Sequence, residues 1–137
     1  MEKSIGNISN TKEVAKKLSN ILKQGDVVFL YGTLGAGKTT FTKLLLEYFG
    51  FKGSVTSPTF VLERQYLADD KRFYHLDLYR LKKSDLNSLV FINERDKNGI
   101  YLVEWPELIE GIIKPDYKIY LSVLSEKERS IEVINNV

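Results

Sequence analysis

The chain has 137 residues, 20 basic and 18 acidic, with 43% hydrophobic and 28% charged residues, no cysteine and a single histidine, His75. That length suits one domain with its own core, and the composition is that of a soluble globular protein rather than a disordered one. Thiolate zinc sites, iron–sulfur clusters, cysteine nucleophiles and multi-histidine cages are excluded, while a net charge of +2 without blocks of like charge gives no electrostatic footprint for nucleic acid.

In chain order, Met1–Gly6 lacks the apolar core of a secretory signal and no apolar run approaches the ~20 residues of a membrane span, so a cytoplasmic protein with no membrane partner is expected. From Thr11 to Lys23, Val14, Ala15, Leu18, Ile21 and Leu22 recur at helical spacing. Asn10 is placed to cap this helix, Glu13 to complete a capping box and Gly25 to stop it. Asp26–Tyr31 is a continuous apolar run of β-formers, as in a strand buried on both faces. A Gly-rich loop follows, and from Lys38 to Phe49 helical spacing returns through Phe41, Leu44, Leu45 and Tyr48 until Gly50.

Phe60–Tyr66 and Arg72–Tyr79 are β-prone stretches joined by the polar-centred connection Leu67–Lys71, which predicts a hairpin. Period two puts Phe73, His75 and Asp77 on one face of the second strand and Tyr74, Leu76 and Leu78 on the other. Ser84-Asp85 begins a helix through Ile92, Asn93–Gly99 is a polar loop, and Ile100–Glu104 is a second buried strand that ends in a carboxylate. Beyond a connection bracketed by Pro106 and Pro115, Tyr117–Leu124 and Ser130–Val137 predict a closing hairpin. The order implies a single α/β domain spanning 1–137 with a mixed β-sheet flanked by helices; the Gly-rich loop after the first buried strand adds the P-loop NTPase-like character.

Gly32-Thr33-Leu34-Gly35-Ala36-Gly37-Lys38-Thr39 satisfies G-x-x-x-x-G-K-[ST] at every fixed position. The glycines permit torsions and close approach that a Cβ blocks, so successive N–H groups converge on phosphate oxygens. Lys38 adds a positive charge, the start of the following helix directs its free N–H groups and positive dipole end at the same anion, and Thr39 offers a hydroxyl to Mg²⁺. The alternative is a plain Gly-rich turn, but the strand–loop–helix context is the one a phosphate cradle requires. Such a site also needs an acid for Mg²⁺ and a group to position the nucleophile. Glu104, closing its apolar run, and Asp77, near the end of the second hairpin strand, are both placed for this. Position alone leaves each open between that role and a solvated strand-end carboxylate.

Taken together, Gly32–Thr40 (GTLGAGKTT), Val55–Phe60 (VTSPTF), His75–Leu81 (HLDLYRL) and Val103–Pro106 (VEWP) resemble the bacterial TsaE (YjeE) family, small P-loop ATPases needed to make threonylcarbamoyladenosine on tRNA. The likeness extends over most of the chain. It implies ATP and Mg²⁺ as cofactors, with Lys38 on the β- and γ-phosphates, Thr39 and Glu104 as Mg²⁺ ligands and Asp77 as the acid needed for turnover. It implies further that Gly32, Gly35, Ala36, Gly37 and Thr40 form the cradle, that Thr59 in the Ser57-Pro58-Thr59 segment faces the γ-phosphate, and that Thr11 and Arg129 lie near the nucleoside, where Thr11 equally suits a helix start and Arg129 a solvated strand end. Trp105, beside the metal acid, would report on nucleotide occupancy. For Trp105 and His75, plain core packing is the competing reading.

The family's usual Asp after the first loop glycine is Thr33 here, and Leu86–Asn98 matches poorly. The resemblance implies slow MgATP hydrolysis stimulated by partners, the TsaD–TsaB pair, with tRNA reached through that assembly. Two alternatives belong to other classes: a small-molecule kinase, which needs an acceptor pocket and a basic lid for which only Arg95 and Lys97 lie in a candidate loop, and a nucleotide-gated binding module whose hydrolysis is incidental.

Overall fold

A computed structural model describes residues 2–6, 8–33, 37–58, 62–126 and 129–135, and for 2–6, 8–10 and 129 it describes the backbone. Among these residues seven strands form one sheet: β1 (Glu2–Gly6), β2 (Val27–Tyr31), β3 (Glu63–Ala68), β4 (Lys71–Asp77), β5 (Ile100–Glu104), β6 (Tyr117–Val123) and β7 (Arg129–Asn135). Their spatial order is β1-β7-β6-β2-β5-β4-β3. The four inner strands β6, β2, β5 and β4 are mutually parallel, and β3, β7 and β1 add antiparallel edges. All four parallel strands therefore end at one rim of the sheet, where open α/β folds place their ligands.

Alternation along the inner strands divides the core into two layers. Val28, Leu30, Phe73, Ile100, Leu102 and Ile119 face a cluster built with Val14, Ala15 and Leu18 of α1 (Ile8–Ile21) and Phe41, Leu45 and Leu46 of α2 (Lys38–Tyr48). Val27, Phe29, Leu76, Tyr101 and Val103 face Leu86, Leu89, Phe91 and Ile109 on the other side. β2 and β5 are apolar throughout the core because both of their faces are covered. α2 ends as its sequence suggests. Gly50 takes φ +94, and the N–H groups of Gly50 and Phe51 bond to the carbonyls of Glu47 and Leu46, a Schellman closure that also brings Phe51 onto the core.

The structure corrects several boundaries. β1 has no counterpart in the sequence reading, because its five residues EKSIG show no run of β-formers and gain their place by pairing with β7. Since β1 ends at Gly6, α1 starts at Ile8, and Asn10 lies inside the helix instead of capping it. Ile21 and Tyr48, read as stripe residues, are exposed. Gly25 sits in the left-handed region four residues past α1, and its N–H bonds to the Gly99 carbonyl at 2.8 Å, so it docks the α1–β2 turn onto the start of β5 rather than stopping a helix. The hairpin connection shortens to Asp69-Asp70, with Asp69 at φ +54, a conformation Asp tolerates in turns.

The helix predicted from Ser84 through Ile92 is two pieces, a 3₁₀ segment Lys83–Ser88 and a short α-helical turn Val90–Asn93, α3. Leu89 between them is extended at φ −81°, ψ 121°. Leu86, Leu89 and Phe91 all enter the second core layer, and their spacings of three and two do not share one face of a continuous α-helix.

Candidate nucleotide-binding site

The site is built where β2, β4 and β5 end. β2 leads into the Gly-rich loop, of which Gly32, Thr33 and Gly37 onward are described; Gly35 and Ala36, and Thr59 of the Ser57-Pro58-Thr59 segment, lie outside the described residues. Gly37 immediately precedes α2 at φ +98°, which strains any side chain, and a Cβ built there meets nothing within 4 Å among the described residues. The loop leads into the N-terminus of an eleven-residue helix, where unsatisfied N–H groups and the dipole favour an anion. Thr39 is half-buried and Thr40 exposed on the first turn.

Lys38 is only 6% exposed. Its Nζ donates to the Gly32 carbonyl at 2.6 Å and lies 3.9 Å from the centroid of the Trp105 ring. Burial pushes its pKa below 10.5, opposed by the nearby carboxylates of Glu104, Asp77 and Glu107. The lysine is therefore held inside by a carbonyl dipole, a π face and nearby carboxylates, two from strand ends and one, Glu107, from the Pro106–Ile109 segment.

The carboxylates owe their position to strand register. On the parallel ladders, Glu104 of β5 lies level with Leu30 of β2 on one side and Asp77 of β4 on the other. Glu104 is 3% exposed and Asp77 6%. Asp77 Oδ1 accepts the Tyr79 N–H at 2.9 Å, fixing the turn out of β4, and the Leu78 N–H reaches the Glu104 carbonyl at 3.1 Å, locking the two strand ends together. The Asp77 N–H bonds to the carbonyl of Leu62 at 2.9 Å, and the Leu62 N–H to that of Pro58 at 2.8 Å. The Ser57-Pro58 end of the VTSPTF segment is thereby tied to the backbone that carries Asp77.

His75 is fully buried two residues before Asp77, on the same face, and its Nε2 lies 2.5 Å from Glu104 Oε2. Trp105, directly after Glu104, adopts φ 55°, ψ 55°, an uncommon conformation for a bulky residue and one of the strained kinds that collect at functional sites. That turn takes the chain out of the sheet into Pro106–Ile109 and brings the indole over Lys38 and against Tyr79, centroids 4.7 Å apart.

Of the residues singled out from sequence, Lys38, Asp77 and Glu104 come together at this rim, joined by Gly32, Gly37, Thr39 and Thr40 at the loop and helix start. Thr11 is buried on α1, and Arg129 opens β7 with only its backbone described. The His75–Glu104 pair and the Lys38–Trp105 contact lie beyond what the sequence motifs specify. Period two on β4 puts His75 and Asp77 on one face, a signal for the first; nothing local announces the second.

The fold and its loop define a P-loop-type nucleotide-binding protein. The family model for "Threonylcarbamoyl adenosine biosynthesis protein TsaE" matches residues 5–132. Among curated relatives, the tRNA threonylcarbamoyladenosine biosynthesis protein TsaE of Rickettsia felis is 37% identical over 96% of this chain and 78% of its own length. That of Bacillus subtilis is 38% identical, with 91% and 79% covered. The crystal structure of Bacillus subtilis YdiB superposes with a TM-score of 0.77 at 34% identity, covering 95% of this chain and 82% of that one. The chain belongs to the TsaE family.

Proposed function

We propose that this chain is a single P-loop ATPase domain that binds MgATP, hydrolyses it slowly, and supports formation of threonylcarbamoyladenosine on tRNA in the cytoplasm as part of an assembly with TsaD and TsaB. The observation that carries the ATPase reading is the convergence of Lys38, Asp77 and Glu104, all buried, at the rim where the Gly-rich loop opens. The pathway reading rests on family membership and on the names of the relatives. Among the described residues no helix is long and apolar enough to cross a membrane.

The donor set suits Mg²⁺, a hard cation that takes oxygen ligands and is commonly held by one or two carboxylates together with nucleotide phosphates. Glu104 and the Thr39 hydroxyl would hold it, and the ion would supply neutralisation of phosphate charge. The N-terminus of α2 would accommodate the phosphates, with Gly35, Ala36 and Thr40 completing the cradle. Lys38 leaves the Gly32 carbonyl to meet β- and γ-phosphate oxygens, exchanging a dipole for an anion. Asp77, fixed by the Tyr79 N–H, positions the attacking nucleophile beside that charge. Thr59 faces the γ-phosphate, and Thr11 and Arg129 the nucleoside, as in the family pattern.

Phosphoryl transfer asks mainly for positioning and charge stabilisation, and no cis arginine is assigned here, which accounts for slow intrinsic turnover and for stimulation by partners. The test is tRNA modification from purified components with this chain included or omitted: the reading predicts sustained product formation only with the chain and ATP, and equal yields without it would overturn the pathway assignment.

One observation favours a second reading, a small-molecule kinase. A cavity of about 370 Å³ opens beside Trp105, lined by Leu78, Tyr79, Leu81, Lys83, Glu107 and Leu108 as well, and is large enough for a small acceptor. Transfer of label from γ-labelled ATP to any member of an acceptor panel would establish that reading, and labelled phosphate released only to water would eliminate it.

A further inference from the structure

We propose that His75 is a positioning residue for Glu104: its buried imidazole holds one carboxylate oxygen so that the other is presented to the cation of the bound nucleotide. The inference rests on the reading of Glu104 as a Mg²⁺ ligand. It begins with register. β4 and β5 run parallel with His75 level with Leu102 and Asp77 level with Glu104, so His75 lies one residue pair behind the two acids on the same face of the sheet. From there its Nε2 reaches Glu104 Oε2 at 2.5 Å.

The pairing assigns the tautomer. Glu104 Oε2 accepts, so Nε2 carries the hydrogen, and Nδ1, fully buried, has no hydrogen-bond partner among the described residues. A bare acceptor lone pair on Nδ1 is the less costly way to leave that atom, since an N–H there would be a buried unsatisfied donor. A residue present only for packing would not bring this cost. The ring lies on the sheet face that Phe73 and Leu102 contribute to the α1/α2 core layer, where a leucine would bring no polar atom to satisfy. The imidazole instead offsets its unpaired nitrogen by gripping a carboxylate that is itself almost completely removed from water. With Oε2 engaged, Oε1 is the oxygen left to offer. The cation's ligand is thus fixed in rotamer before nucleotide arrives, as outer residues commonly orient metal ligands.

The experiment measures ADP binding calorimetrically in EDTA and across a Mg²⁺ series, for the unaltered chain, His75→Leu, His75→Gln, His75→Asn, Glu104→Ala and the double variant His75→Leu/Glu104→Ala. The Gln amide reaches the place of Nε2 and the shorter Asn amide does not. The proposal predicts that His75→Leu and His75→Asn raise the Mg²⁺ concentration for half-maximal enhancement about 10–100-fold, that affinity in EDTA stays within about twofold, and that His75→Gln restores the Mg²⁺ response. In the Glu104→Ala background His75→Leu adds nothing, because no carboxylate remains to be oriented. An unchanged Mg²⁺ response in His75→Leu and His75→Asn, or equal losses with and without Mg²⁺, would overturn the proposal while leaving the role of Glu104 intact. If Glu104→Ala itself leaves the Mg²⁺ response unchanged, the underlying site reading fails and the proposal with it. Should His75→Leu not fold, the contrast between Gln and Asn decides.

Discussion

The two rims of the sheet handle charge differently. At the rim where the parallel strands begin, three carboxylates are tied into the backbone framework: Asp26 accepts the Lys23 N–H at 2.9 Å, Asp116 the Val27 N–H at 2.8 Å, and Asp96 the Tyr74 hydroxyl at 2.8 Å and the Asn98 N–H at 2.9 Å. These bonds close turns and anchor strand starts. The rim where the strands end carries Lys38, Asp77, Glu104 and His75, with a lysine held by one carbonyl and one aromatic face and a glutamate held by one imidazole. Asp77 also closes a turn, through the Tyr79 N–H at 2.9 Å, so what sets the strand-end rim apart is that Lys38 and Glu104 bond to a carbonyl and an imidazole rather than to turn N–H groups.

Variants at the strand-end rim should alter ligand chemistry with little effect on folding. The largest effect is expected from Asp77→Asn, a turnover loss of about 10²–10⁴-fold with nucleotide affinity retained, the range for losing a positioned acid or base. Steady-state phosphate release alongside equilibrium ADP binding checks it, and parallel loss of both would make Asp77 a binding residue. Next is Lys38→Ala, expected to weaken nucleotide binding by ~2–5 kcal/mol, as when one member of a buried charge pair is truncated; calorimetric titration reads this, and melting curves without ligand should show an intact fold.

Variants at the opposite rim should do the reverse. A Cβ on Gly99 would lie 2.4 Å from Cε2 of Tyr74. That ring cannot yield easily, because it stacks on Tyr101 at 4.4 Å and its hydroxyl is bonded to Asp96. Gly99→Ala should therefore cost ~1–3 kcal/mol of stability by overpacking, measured by denaturant unfolding, with nucleotide affinity unchanged while the protein is folded.

The smallest effect is a pH dependence. Burial, reinforced by the charge of Asp116, raises the Asp26 carboxyl above 3.8 despite the Lys23 N–H. In the window just above 3.8 the folded chain then binds a proton that the unfolded chain has released, so stability falls as pH rises through that window. Asp26→Asn keeps the acceptor and removes the charge. It should raise the melting temperature modestly at pH 7, corresponding to less than about 1 kcal/mol, with the gain shrinking toward pH 4; a gain that grew on acidification would contradict the sign.

What could be read from the sequence follows from how local its cause is. The Gly-rich loop with its flanking strand and helix, the buried strand closing on Glu104 and the hairpin carrying Asp77 are each specified by contiguous residues, through periodicity and glycine placement. The misreadings have non-local causes. β1 is a strand because β7 offers it an edge. The break at Leu89 arises because Leu86, Leu89 and Phe91 must meet one layer of core. The His75–Glu104 bond joins residues 29 apart and depends on the β4–β5 register. The Lys38–Trp105 contact depends on a left-handed turn that Trp105 would not be expected to adopt.

The claim on which the rest depends is that the strand-end rim holds a nucleotide phosphate and its metal between the Gly32–Thr40 loop and Glu104. A crystal structure of the protein with a non-hydrolysable ATP analogue and Mg²⁺ tests it most directly. The account predicts the phosphates seated at the start of α2, Lys38 withdrawn from the Gly32 carbonyl toward them, and Glu104 at the metal. Nucleotide bound elsewhere, with Lys38 still on Gly32 and Glu104 remote from the ion, would contradict it.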